Sequence, residues 1–297
     1  MARKRKGPRS APRTPQKARP QESHVKVVKR PMRKPVRGRP AWVPAVATVG
    51  VIAILVVVFL AIRYFNTPAA PTPASSNQTS QVLSTITSLP ASELEQVGAG
   101  SSNNRITPVT GTALTGPGGK PLVFYYGAEY CPFCAAERWP LIIALSRFGT
   151  FSGLTTTTSS SSDVYANTPT FTFHGATYSS QYIEFQGVET TDRNQKHLET
   201  PTAAQLALVN RYDSGGSIPF VDFGNRYAFD GATYQPDPLQ GLTWNQIAAD
   251  LQNPVSPQAQ GILGSANLIT AAICKLTADQ PATVCSGAAI KSIEAHL

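Results

Sequence analysis

The 297-residue sequence predicts an α/β sandwich with a mixed central sheet and extra C-terminal helices, preceded by one transmembrane helix. Three observations predict it. Beyond residue 120 the periodicities run strand, helix, strands, helix, two strands, helix, the order of an α/β sandwich. Two further helical patterns, 259–276 and 288–296, close the chain. Residues 41–62 carry no charge and are dominated by Val, Ile, Ala and Leu, about the length that crosses a bilayer's hydrocarbon as a helix.

Charge divides the chain at the same place. Residues 1–40 hold 15 Lys or Arg and seven Pro against a single acid, Glu22, and contain no Phe, Tyr or Trp. The rest of the chain carries 11 basic and 16 acidic groups, so the formal net charge of +9 belongs to the arm. Such a composition predicts a disordered segment. Without interleaved aromatics or a folded module, no specific nucleic-acid partner is expected. Beside an apolar span the arm suits topology setting and attraction to anionic lipid, which places it on the cytoplasmic side and the remainder outside the cell membrane. Trp42 and residues 63–65 are the expected interfacial anchors, so the anchor is taken as 41–65. A cleavable signal peptide is the alternative, although its apolar region usually spans only about 7–15 residues.

Residues 66–82, rich in Pro, Ala, Ser and Thr, read as a semi-extended linker, with a short N-glycosylation pattern at Asn77-Gln78-Thr79. The extracytoplasmic domain is taken as 83–297. Within it, residues 92–95 open a short helix, 122–126 form a buried strand, and 132–148 a helix whose apolar face holds Trp139, Leu141, Ile142, Leu145 and Phe148, with a kink expected at Pro140. Residues 155–162, a Ser/Thr run, read as a loop with a possible edge strand. Strands are expected at 170–174 and 182–188, a helix at 201–212, a hairpin of 218–223 and 226–229 across Gly224-Asn225, and a helix at 242–251.

The chemistry-bearing motif is Cys131-Pro132-Phe133-Cys134, placed between a strand and a helix. Two intervening residues let both sulfurs meet across the first helical turn, where free N–H groups favour a thiolate on Cys131. Cys131 is the candidate nucleophile and Cys134 the resolving thiol. Half of a zinc site would need a second close pair, and Cys274 and Cys285 are too far apart for that spacing, so no metal is expected. Those two cysteines read as a structural disulfide, with a second redox pair as the alternative. His174, Glu129 and Glu137 read as solvated, and Glu184 as a distant candidate for a buried proton acceptor.

The run from Phe124 through Cys134, its Pro-containing helix, and Ile218-Pro219 opening a late strand together resemble the thioredoxin superfamily. More narrowly, residues 127–139, 163–173, 218–223 and 271–285 look like a membrane-anchored prokaryotic family filed as domain of unknown function number nine-two-nine. The resemblance covers about residues 83–297 and implies a thioredoxin-like fold. It also implies Cys131 attacking, Cys134 resolving, Pro219 as a cis-proline facing the pair, and substrate contacts at Ile218, Pro132 and Phe133. Thioredoxins proper carry a buried acid where this chain has Tyr125. The expected function is a thiol-disulfide oxidoreductase without a cofactor, a disulfide donor or isomerase acting on extracytoplasmic protein thiols and reoxidised by a quinone-linked membrane protein. A thiol reductase and a non-catalytic peptide-binding module are the alternatives.

Overall fold

The computed structural model describes residues 42–66, 74–103, 105–213 and 215–297; the basic arm lies outside the described residues. The chain divides into two units, residues 1–61 and 62–297. The described residues of the first unit, 42–61, all lie in a 25-residue helix, α1 (Trp42–Asn66). Side chains are described for residues 49–62 of it, and large apolar ones such as Ile52, Leu55, Val57 and Phe59 are more than half exposed. Among the described residues no helix is long and apolar enough to cross a membrane.

The second unit begins earlier than the linker reading allowed. Residues Ser76–Thr87 form α2, started by a capping box in which Ser75 Oγ accepts the Gln78 N–H at 3.3 Å and Gln78 Oε1 accepts the Ser75 N–H at 3.0 Å. Val82 and Ile86, four apart on one face, are buried in the main core. A polar composition hid that two-residue apolar stripe. The expected glycosylation pattern falls in the first turn of this helix, where Thr79 is buried. A second short helix, α3 (Ala91–Val97), follows.

The central sheet has five strands, β1 (Thr107–Pro108), β2 (Leu122–Gly127), β7 (Glu184–Glu189), β8 (Phe220–Phe223) and β9 (Tyr227–Asp230), in the order β1-β9-β8-β2-β7. It is mixed as expected: β2 runs parallel to β7 and antiparallel to β8. Helix α4 (Pro132–Ser146) follows β2. The Ser/Thr run contributes β4 (Thr155–Thr158), paired with β5 (Pro169–Thr172), and outside that pair β3 (Gly149–Ser152) runs antiparallel to β6 (Thr177–Ser180), a pairing for which no strand was expected. The remaining helices are α5 (Ala203–Tyr212), α6 (Trp244–Asp250), α7 (Pro257–Leu276), α8 (Ala282–Cys285) and α9 (Ala288–Glu294).

Both sheet faces are covered. Val123 and Tyr125 of β2 join the main core with α4 and α7, whereas Leu122 and Phe124 join a smaller cluster with Val209 of α5 and Phe220. This alternation along one strand produces the sandwich. Helix α4 is buried on nearly every side, from Cys134 to Leu145. It continues through Pro140, which cannot supply an N–H to the Ala136 carbonyl. The Tyr234 hydroxyl donates to that carbonyl instead, at 2.9 Å, so the orphaned acceptor is satisfied from outside the helix. At the far end a disulfide joins Cys274, in the last turn of α7, to Cys285 of α8.

Candidate functional site

Sheet register brings the motif residues together. Tyr126 pairs with Phe220, so the end of β2 abuts the start of β8 and the turn carrying Cys131 faces the residues just before Phe220. The Ile218–Pro219 bond there is cis, and the Cys131 thiol lies 3.7 Å from the Ile218 carbonyl oxygen, to which it donates. Cys131, Cys134, Ile218 and Pro219 therefore meet. Pro132 occupies the first position of α4 and is buried, while Phe133 is half-buried and packs edge-on against Tyr165, ring centroids 5.9 Å apart. Of the three side chains expected to touch substrate, Pro132 is thus turned inward and Phe133 and Ile218 remain partly accessible.

Cys131 is the N-cap of α4, and its sulfur accepts the Cys134 N–H at 3.4 Å. Both thiols are free; Cys131 is 6% exposed and Cys134 fully buried. A hydrogen bond from the Cys134 thiol holds the Cys131 thiol below its usual range, against its own burial, helped by the Cys134 and Phe133 N–H groups and the positive Arg138. Burial pushes Cys134 well up, and its hydrogen bond to Cys131 adds to this while Arg138 opposes it. The two sulfurs are thereby pushed apart in acidity, as an attacking thiol and a resolving thiol require.

Beneath them lies a charge pair that the sequence reading did not identify. Parallel pairing of Gly127 with Glu189 sets that carboxylate at the end of β7 next to the motif, and Arg138 reaches it from α4. Arg138 Nε and Nη2 donate to the two Glu189 oxygens at 2.7 and 2.6 Å, and neither side chain is exposed. The Arg138 guanidinium also lies over the Tyr125 ring, 5.8 Å from its centroid. One signal was readable: Arg138 sits four residues after Cys134, on the same helix face.

Expectations about three acids are corrected. Glu137, taken as solvated, is fully buried; it accepts the Thr233 N–H at 2.7 Å and bonds the Thr233 hydroxyl at 2.8 Å, and burial pushes its carboxyl up to about 8. Glu129 is 8% exposed and accepts from Thr157 at 3.2 Å. Glu129 lies in the turn before α4, and Glu137 on α4 itself. A helix buried all round has no solvent face to hold charge, and a single-face periodicity does not describe it. Glu184 is not a buried proton acceptor: its Oε1 accepts the Gly118 N–H at 2.7 Å in an exposed loop. The buried acid near the dithiol is Glu189, which burial raises against the pull of Arg138. His174 pairs with Glu199 at the surface, 2.6 Å apart, and the other Glu199 oxygen accepts the Glu189 N–H at 3.0 Å.

These features define a class: an α/β protein with a mixed sheet and a free dithiol capping a buried helix opposite a cis-proline. The chain belongs to the family described as Domain of unknown function (DUF929), whose family model matches residues 108–275, as the resemblance drawn from residues 127–139 and 218–223 implied. The match includes Cys131, Cys134, Arg138, Glu189 and Pro219. No curated relative and no solved structure matches the chain.

Proposed function

We propose that the chain is a membrane-anchored, extracytoplasmic thiol-disulfide oxidoreductase with a thioredoxin-like domain, in which Cys131 exchanges with substrate cysteines and Cys134 resolves the mixed disulfide. The observation that carries this reading is the free Cys131 at the N-cap of α4, hydrogen-bonded to Cys134 and set against Ile218-Pro219. Stabilising the Cys131 thiolate lowers the energy of the reduced state, which makes the disulfide form the stronger oxidant and favours a disulfide donor. The uncharged, apolar run of residues 41–62 in the sequence supports an anchor, with the basic arm cytoplasmic; reoxidation then falls to a quinone-linked protein in the same bilayer. Partners are extracytoplasmic protein thiols, which present an extended segment to the Ile218 backbone.

Full-length chain in detergent, carrying Cys134→Ser, is expected to accumulate mixed disulfides with disulfide-bonded peptides, the Cys131 thiolate attacking the peptide disulfide and releasing a peptide thiol, whereas Cys131→Ser accumulates none. Equal behaviour of the two variants would remove Cys131 from its role. Activity in insulin reduction without peptide oxidation selects the reductase alternative.

A further inference from the structure

Two buried polar atoms under the dithiol have no nitrogen or oxygen partner: the Tyr125 hydroxyl, whose one side-chain hydrogen-bonding neighbour is the Cys134 sulfur, and Arg138 Nη1. A buried hydroxyl without a partner is destabilising, and Phe would fill the same space without that loss. Its position explains its presence. A side-chain carbon added at Gly127 would run into the Tyr125 hydroxyl and come within 3.1 Å of Cys134 Sγ, so hydroxyl and sulfur are neighbours across the gap that this glycine leaves. In the reduced protein the Cys134 sulfur is a buried neutral thiol and a weak acceptor, which leaves the phenol poorly satisfied. A thiolate at the same position is a strong acceptor, and hydrogen bonds to charged groups are about twice as strong as neutral ones.

Resting on the redox reading above, we propose that the Tyr125 hydroxyl is a catalytic hydrogen-bond donor to the Cys134 sulfur whenever that sulfur carries negative charge. Arg138, fixed by Glu189, is the positioning residue that holds the ring and adds its positive charge. In the donor direction a substrate thiolate attacks the Cys131 sulfur, the Cys131–Cys134 bond breaks, and its electron pair leaves on Cys134, which then accepts the Tyr125 hydrogen bond. A second substrate thiolate attacks the substrate sulfur of the mixed disulfide and releases Cys131 as a thiolate. Two electrons have passed to the protein, and Cys134 takes one proton from solvent. The groups that face Cys134 are Cys131 at the N-cap of α4, Arg138 from α4, Tyr130 from the turn before it, Tyr125 from β2 and Glu189 from β7. Tyrosine burial raises the phenol well above its usual range, so it donates a hydrogen bond and does not act as a base.

The test compares wild type and Tyr125→Phe, both full-length in detergent with the Cys131–Cys134 disulfide formed, by the rate of reduction with dithiothreitol across pH. Loss of a hydrogen bond to a charged leaving group is expected to slow the variant about tenfold and to raise the apparent pKa of Cys134, while its unfolding midpoint stays equal to or above wild type. Gly127→Ala, which pushes the hydroxyl off the sulfur, is expected to slow the reaction similarly. A Tyr125→Phe rate within twofold of wild type, with an unchanged pH profile, overturns the hydrogen bond and leaves the redox reading standing. A wild-type disulfide that reacts no faster than one in a denatured chain overturns both.

Discussion

Substituting Glu137 by Gln isolates one buried acid. The carboxyl is fully buried against Thr233, and its pKa of about 8 compares with an ordinary 4.5. The folded chain therefore holds a proton that the unfolded chain releases above pH 4.5, and the separation corresponds to roughly 5 kcal/mol. The stabilising contribution is complete below the unfolded pKa and is lost as pH rises toward about 8, with roughly 4 kcal/mol of the loss between pH 5 and pH 8. Glutamine preserves the geometry: its carbonyl, in place of Glu137 Oε2, accepts from both the Thr233 N–H and the Thr233 hydroxyl, as that carboxyl oxygen does. Asp222, pushed up to about 7 by burial, and Glu189 add pH dependence of the same sign, so the informative quantity is the difference between variant and wild type. Urea unfolding of both proteins at pH 5 and pH 8 is expected to show that difference shifting by roughly 3–4 kcal/mol in favour of Glu137→Gln at the higher pH. A difference that stays within about 1 kcal/mol across this range refutes the reasoning, because it means that Glu137 is ionised in the fold.

The Arg138–Glu189 pair predicts an asymmetry: Glu189→Gln, which leaves a buried guanidinium without its charge partner, costs about 3–5 kcal/mol, whereas Arg138→Met with Glu189→Leu recovers most of that stability yet raises the Cys131 thiol, measured by alkylation rate against pH. Tyr234→Phe leaves the Ala136 carbonyl unpaired above Pro140 and is expected to cost about 1–3 kcal/mol in urea unfolding, with dithiol reactivity unchanged. Cys274→Ser opens the loop between α7 and α8 and is expected to lower stability by ~3 kcal/mol without altering thiol exchange at Cys131.

Much of the frame was legible. The apolar run at 122–126, the Cys-Pro-Phe-Cys turn between strand and helix after it, and the Gly224-Asn225 hairpin are local signals, and each became the expected element. So did the disulfide between Cys274 and Cys285, whose distance in sequence ruled out a zinc pairing. Other features depend on partners remote in sequence. Arg138 and Glu189 lie 51 residues apart and meet only because β7 runs parallel to β2. The burial of Glu137 depends on Thr233, 96 residues away. Helix α2 was lost in a Ser/Thr-rich stretch because its apolar face is only two residues wide, and β3 and β6 because four-residue strands carry little periodicity. Tyr125 shows the boundary between the two: the sequence marked it as standing where an acid was expected, but only the fold sets its hydroxyl beside Cys134 and its ring under Arg138.

The most direct test of the central claim is the reduction potential of the Cys131–Cys134 pair, measured on the full-length chain equilibrated in glutathione buffers. A thiolate-stabilised Cys131 at the end of α4 predicts a reversible two-electron couple on the oxidising side of about −200 mV. A couple near about −270 mV, or a pair that never forms a disulfide, contradicts it.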